Sequence, residues 1–173
     1  MNPTERSLRV LLLPVPSAPD PWELLLPGAA VAAVVRAEPL ETAGPGAPDW
    51  LLGFLDWQGL RVPLVRAAIA PPPSGPRPGQ AHAAVCFAPA ADPALPFFAI
   101  ASPSVPRLER ITPATLSAER PEAHPGAVGA DRPFIQVALR HLGRPVSLVD
   151  LDAVEQALLA ALAARGPLAS TGG

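Results

Sequence analysis

FLDWQGLRVPLV, residues Phe54 to Val65, is the most informative segment of the chain. Two runs of alternating apolar character meet at Gln58-Gly59. A two-residue hairpin turn of the type that matches strand twist needs positive φ at its central positions, which glycine adopts without steric cost. Leu60, Val62 and Leu64 then share one face of the returning strand. The segment predicts a β-hairpin over residues 54–65.

A second hairpin is predicted over Phe134 to Val149, FIQVALRHLGRPVSLV. At an offset of 84 residues, Leu55, Gly59, Val62, Leu64 and Val65 match Leu139, Gly143, Val146, Leu148 and Val149. The common register around a turn glycine reads either as internal duplication or as the likeness of any two leucine- and valine-rich hairpins.

Strands are also expected at 8–15 (LRVLLLPV, with Pro14 placing its end near a sheet edge), 22–26, 83–87 and 97–102. Ala29 to Arg36 is ambiguous: its alanines favour helix, and Val31, Val34 and Val35 favour strand. Glu38 to Pro48 reads as a loop, and Asp49 to Gly53 as one helical turn stopped by the glycine. Pro103 to Ala118 is a mixed connection, and Glu119 to Arg132 is polar and irregular. A helix closes the chain, with Asp152 as N-cap, Glu155 completing a capping box and Gly166-Pro167 as the stop. Val154, Leu158 and Leu162 recur on one of its faces.

The expected organisation is an N-terminal tail (1–7), one domain (8–165) with an exposed Pro-rich loop between its halves (PPPSGPRPGQ, 71–80), and a flexible tail (166–173). The chain has 173 residues, 49% of them hydrophobic and 16% charged, so it can build a core and is not disordered by composition. Its 26 prolines exclude a helical bundle, since each interior proline costs a helix about 3 kcal/mol. All 13 basic residues are arginine and net charge is −2, which argues against a nucleic-acid partner. The single cysteine, Cys86, excludes an internal disulfide framework and fits a reducing compartment. The longest apolar run, Leu24 to Val35, is broken by Pro27 and falls short of the ~18 residues a membrane span needs. The apolar stretch after Arg6 and Arg9 contains Pro14 and is too short for a secretory leader. A cytoplasmic protein without membrane insertion is expected.

Signatures of chemistry are missing. No G-x-S-x-G, S-x-x-K or phosphate-loop motif occurs. His82, His124 and His141 are widely spaced, and His82 with Cys86 could supply two metal ligands at most. Arg140 and Arg144 form an R-x-x-x-R pair that could grip an anion such as a nucleotide, although no accompanying polar motif is present. Asp150 and Asp152 are explained by a strand end and a helix cap. No catalytic residue, metal or cofactor is nominated, and a binding module is favoured over an enzyme. A hydrolase built on Cys86 is a distant third reading.

The wording of three segments resembles CheW-like domains. APDWLLGFLDWQGLRVPLV (Ala47 to Val65) is similar to the family's signature of a short turn, a glycine, a strand, a tight turn and a strand containing I-P-V. Upstream stand a strand and a V-x-x-V segment, here Leu24 to Leu26 and then Val31 and Val34. Downstream, FFAIASPSVPRLERITPATL (Phe97 to Leu116) resembles the connection before the second barrel. GRPVSLVDLDAVEQAL (Gly143 to Leu158) is similar to the closing strand and helix. The resemblance spans about 150 residues, Leu8 to Leu162.

It implies a mainly β fold of two five-stranded barrel subdomains around a shared hydrophobic core, with a C-terminal helix. It implies a non-enzymatic adaptor coupling a chemoreceptor cytoplasmic tip to the regulatory domain of a CheA-type histidine kinase. The DWLLG…DW wording, with Trp50 and Trp57, is closer to divergent members from type IV pilus (twitching) systems. Gln58 stands where the family usually has arginine, and Arg66 where it usually has aspartate. The partner-binding residues nominated are Trp50, Asp56, Trp57, Gln58, Arg61 and Arg66. Tryptophan is enriched at binding hot spots, yet a chain with five Phe and no Tyr also needs large core residues; one of the two tryptophans is assigned to the core. Gly53, Gly59 and Pro63 set backbone geometry.

Overall fold

Strands that are covered on both faces carry continuous apolar runs instead of alternation. That is the reason for sequences such as LRVLLLPV. In the computed structural model, which describes residues 6–15, 21–38, 40–67, 81–120 and 134–165, this segment is strand β1 (Leu8–Val15). Leu11, Leu13 and Val15 enter one core cluster while Val10 and Leu12 enter another, and all five are buried. β2 (Trp22–Pro27) divides in the same way, with Trp22, Leu24 and Leu26 in the first cluster and Leu25 in the second.

A 3-10 turn at Gly28–Ala30 leads into β3 (Val31–Arg36), so the ambiguous segment is both a helical turn and a strand. Then follow β4 (Leu40–Thr42), β5 (Leu51–Trp57), β6 (Leu60–Val65), β7 (His82–Phe87) and β8 (Phe97–Ser102). β9 (Arg107–Ile111), β10 (Leu116–Ala118), β11 (Ile135–His141), β12 (Arg144–Val149) and helix α1 (Leu151–Ala164) complete the order. The first sheet runs β10-β11-β12-β2-β1-β9 and the second β4-β5-β6-β8-β7-β3. The two orders correspond place for place. In each sheet the second strand of a hairpin joins its neighbour in parallel, β12 to β2 and β6 to β8.

The offset of 84 holds in three dimensions. Leu55 faces Val62 and Leu139 faces Val146, and both hairpins shift register at the matching place, between Leu51 and Gly53 and between Ile135 and Val137. The halves are not successive in sequence, because β1 and β2 complete the sheet that β9 to β12 begin. Each half has its own interior: Leu55, Val62, Leu64, Ala83, Val85 and Ala99 in one, Val10, Leu12, Leu25, Ile111 and Val146 in the other. Between them lies a shared core in which Phe98, Ile100 and Leu13 meet Val154 and Leu158 of α1. Fully burying one such side chain is worth about 1.5–3 kcal/mol.

Several local expectations are corrected. Each sheet has six strands instead of five, because the three-residue β4 and β10 also pair. Residues 49–53 do not form a helical turn. Gly53 lies inside β5, where a Cβ atom would collide with the backbone oxygen of Glu41 on β4, so the glycine permits strand pairing. The connection 103–118 contains β9 and β10. The helix cap is Asp150, whose side chain accepts the Ala153 N–H at 2.9 Å. Asp152 lies in the first turn, and Glu155 is buried, accepting the N–H of Ala90 at 2.8 Å. Residues 71–80 and 166–173, His124 and most of 119–132 lie outside the described residues. The strands flanking 71–80, β6 and β7, belong to one sheet, so that loop joins strands within a half. Pro14, Pro63 and Pro145 all sit where the strand has only one paired neighbour, which removes the cost of a missing N–H.

Candidate functional site

The six nominated residues do not form one patch. Trp50 and Trp57 stand at opposite ends of a strand-length segment, seven residues at ~3.3 Å rise, or roughly 20 Å apart. Trp50 is half-buried against the shared core, edge-on to Phe134 with ring centroids 5.3 Å apart. Its carbonyl accepts the Arg66 N–H at 2.7 Å, which makes Arg66 a backbone partner of the core tryptophan. Asp56 and Arg61 face each other on β5 and β6. Arg61 instead reaches Glu41, with Nε and Nη2 donating to its two carboxylate oxygens at 2.9 and 2.6 Å. Its guanidinium also lies 3.5 Å from the ring centroid of the buried Phe54. The hydrogen bonds from Arg61 hold the exposed Glu41 carboxyl below its ordinary value. Arg61 is therefore exposed but already partnered within the chain.

Trp57 and Gln58 belong to a different surface, the turn end of the second sheet. Gln58 (φ 54) and Gly59 (φ 77) form the tight turn. Trp57 packs edge-on to Phe97 at 4.9 Å, and Phe97 packs on Phe87 at 5.4 Å. Phe87 is 49% exposed and Leu60, which faces Trp57 across the hairpin, is 42% exposed. The result is an apolar, aromatic end. Leu60, Phe87 and Phe97 were not nominated from sequence; the signal for two of them was the aromatic ends of β7 and β8.

The equivalent end of the first sheet has the opposite chemistry. At the offset of 84, Trp57 corresponds to His141 and Leu60 to Arg144, and the parallel registers make Phe97 correspond to Glu23. Arg107 binds Glu23 at 2.7 Å and Glu109 at 2.6 Å. Arg144 lies 3.3 Å from Glu109 and 3.7 Å from Glu23. His141, 2% exposed, places Nδ1 3.3 Å from Glu109. Since β9 and β12 are not neighbours in the sheet, these contacts require it to curl until they meet. Burial works to raise the Glu109 carboxyl, but Arg107 and Arg144 together outweigh it and hold it below its ordinary value. The hydrogen bond to Glu23 raises Arg107.

These pairs remove the basis for an anion site at Arg140 and Arg144. Arg140 binds Glu119 at 2.5 Å and donates to the Gly143 carbonyl at 2.7 Å, and Arg144 is held by two glutamates. Arg144 begins β12, directly after the turn formed by Leu142 and Gly143. Cys86 is buried with its thiol pushed up to about 12 by desolvation, the reverse of an activated nucleophile. Among the described residues no three His, Cys, Asp or Glu side chains stand together as metal ligands would. No helix there is long and apolar enough to cross a membrane.

No family model matches the chain, and no curated protein matches it in sequence. Among solved structures, the crystal structure of the scaffolding protein TtCheW from Thermoanaerobacter tengcongensis is similar, with a TM-score of 0.57 and 10% identity. The match covers 86% of this chain and 89% of that one. At this identity the likeness is one of architecture: two curled sheets, a shared core and a closing helix make up a CheW-like fold.

Proposed function

We propose that the chain is a non-enzymatic chemosensory adaptor. It holds the regulatory domain of a CheA-type histidine kinase and the cytoplasmic tip of a chemoreceptor in one complex, in the cytoplasm. No bond chemistry is involved; a conformational bias passes between two proteins held in fixed relation. The observation that carries the reading is the apolar end of the second sheet formed by Trp57, Leu60, Phe87 and Phe97, which leaves Leu60 and Phe87 exposed beside the half-buried Trp57 and Phe97. Clustered aromatics at a sheet end have the composition of an interface centre. The similarity to a protein described as a scaffold supports the same reading. Placement in a type IV pilus (twitching) system rests on the Trp50 and Trp57 wording alone.

The test is pull-down of the purified chain with the chemosensory kinase regulatory domain and receptor tip of its own organism, using Trp57→Ala and Gln58→Glu variants that retain native circular dichroism. Binding to wild type that weakens at least about tenfold in the Trp57 variant supports docking at this end. Failure of wild type to bind either partner overturns the coupling function.

A further inference from the structure

The buried residues of helix α1 are Val154, Glu155 and Leu158. Val154 and Leu158 are apolar and belong to the shared core, so a carboxylate stands in a stripe that otherwise faces carbon. Glu155 is 2% exposed, and its Oε2 accepts the Ala90 N–H at 2.8 Å. Its Oε1 has no hydrogen-bond partner among the described residues. One hydrogen bond does not offset the desolvation of a carboxylate, and an apolar side chain of similar length packs in such a place without that cost. What the carboxylate does that an apolar side chain cannot is hold Ala90.

Ala90 lies in the loop that joins β7 to β8, residues 88–96. The loop is folded on itself. The Ala88 N–H donates to the Pro96 carbonyl at 3.1 Å, that of Ala91 to the Ala88 carbonyl at 3.1 Å, and that of Leu95 to the Asp92 carbonyl at 2.9 Å. Ala91 has a φ of 53°, a left-handed conformation that an alanine keeps only where its surroundings impose it. Ala88 and Leu95 enter the same core cluster as Val154 and Leu158, so the loop and α1 share a core. Pro89, Pro93 and Pro96 each fix a backbone angle, so the loop transmits a displacement at Ala90 instead of absorbing it. Flanking it are Phe87 and Phe97, the last register pair of β7 and β8. These are the phenylalanines of the apolar end, with Trp57 edge-on to Phe97.

We propose that Glu155 is a positioning residue for the apolar end. By holding Ala90 it fixes the β7–β8 loop, and with it the placement of Phe87 and Phe97 that a partner protein meets. Being buried, Glu155 touches no partner itself. Its effect on docking runs from the carboxylate to Ala90, through the loop to the Phe87–Phe97 pair, and from Phe97 to Trp57. The inference rests on reading this end of the second sheet as the docking surface.

The experiment is fluorine NMR on the full chain with 4-fluorophenylalanine in place of its five phenylalanines. Phe54→Leu, Phe87→Leu and Phe97→Leu variants assign the resonances. Glu155→Met fills the same space without an acceptor, and Glu155→Gln keeps a carbonyl oxygen for the Ala90 N–H. The Met variant is expected to retain native circular dichroism, to shift the Phe87 and Phe97 resonances, and to leave that of Phe54 on β5 in place. The Gln variant is expected to keep all three at their wild-type positions. Binding to the chemosensory kinase regulatory domain of the same organism should weaken about fivefold or more in the Met variant and stay at the wild-type level in the Gln variant. The proposal is overturned if the Met variant leaves Phe87 and Phe97 unmoved, if Gln shifts them as Met does, or if the kinase domain binds the Met variant as it binds wild type. Loss of native circular dichroism in the Met variant also overturns it, since that places Glu155 in the stability of the whole fold. Movement of Phe87 and Phe97 in the Met variant alone, with no binding of the kinase domain by wild type, supports the positioning role and overturns the adaptor reading instead.

Discussion

Gln58 and Leu142, 84 residues apart, hold the same left-handed backbone conformation, with φ of 54° and 49°. Each is followed by a glycine, Gly59 at 77° and Gly143 at 80°, so the two hairpins turn identically. Positive φ at both positions is the geometry that suits the right-handed twist of paired strands. The glycines adopt it freely; a leucine does so at a cost of roughly 1–2 kcal/mol.

Leu142→Asn is therefore expected to stabilise the protein. Leu142 is 67% exposed, so the change removes little packing. Asparagine tolerates the left-handed region and precedes glycine in the preferred two-residue turn, and a gain of about 1 kcal/mol corresponds to a rise of ~2–4 °C in Tm. Thermal denaturation by circular dichroism measures it. A lower Tm would mean that Leu142 makes a stabilising contact which outweighs the backbone strain.

Gly53→Ala is expected to be far more costly than Gly46→Ala. A methyl group at Gly53 meets the backbone oxygen and carbon of Glu41, which cannot move without breaking the β4–β5 pairing. Gly46 also has positive φ, 79°, but nothing lies within 4 Å of its added Cβ. The expected losses are about 3–4 kcal/mol at Gly53 and about 1 kcal/mol at Gly46. Urea midpoints of the two variants give the comparison, and equal midpoints would refute the steric account.

The Cys86 thiol is expected to resist alkylation while the protein is folded. Burial raises it to about 12, leaving almost no thiolate near neutral pH. Iodoacetamide labelling followed by mass spectrometry should show modification in urea and almost none in buffer. Rapid labelling of the native protein would contradict both the burial and the raised pKa.

Acid sensitivity is expected to reside partly in Glu109. Its carboxyl is held below the ordinary 4.5 in the folded protein, so it binds protons less tightly folded than unfolded. Its contribution is complete above pH 4.5 and is lost as pH falls through the lower, folded value. Glu109→Gln should cost about 1–2 kcal/mol at neutral pH, and its deficit relative to wild type should shrink below pH 4.5. Urea denaturation across pH tests this; a constant deficit would locate the loss in packing and not in charge.

Both hairpins and the central strands were legible in the sequence, because turn chemistry and apolar runs are local properties of a few residues. β9 was not: in RLERI only Ile111 is buried, so no apolar period marks it. The three-residue β4 and β10 are too short to carry a pattern. At the helix start, Asp152 and Asp150 are equally good caps by residue type; the structure places the strand end at Val149, and the cap falls to Asp150. Glu155 matched a capping box by spacing but serves the β7–β8 connection, 65 residues away. Trp57 and Gln58 were legible as the tip of a hairpin, whereas Phe87 and Phe97 join them only through sheet pairing.

By itself, the sequence determined where the chain turns, where its apolar central strands run, and that two similar hairpins exist. Those outcomes depend on backbone sterics and hydrophobic period within about ten residues of each point. Only the tertiary structure decided that β1 and β2 complete the second half, that the hairpins join their neighbours in parallel, and that one sheet end is aromatic while its counterpart is a charge network. Glu23, Glu109 and Arg144 are scattered along the chain and carry no local period. Their meeting is set by the curl of a whole sheet and by the closing of long loops, whose entropic cost is repaid only when the shared core forms around them.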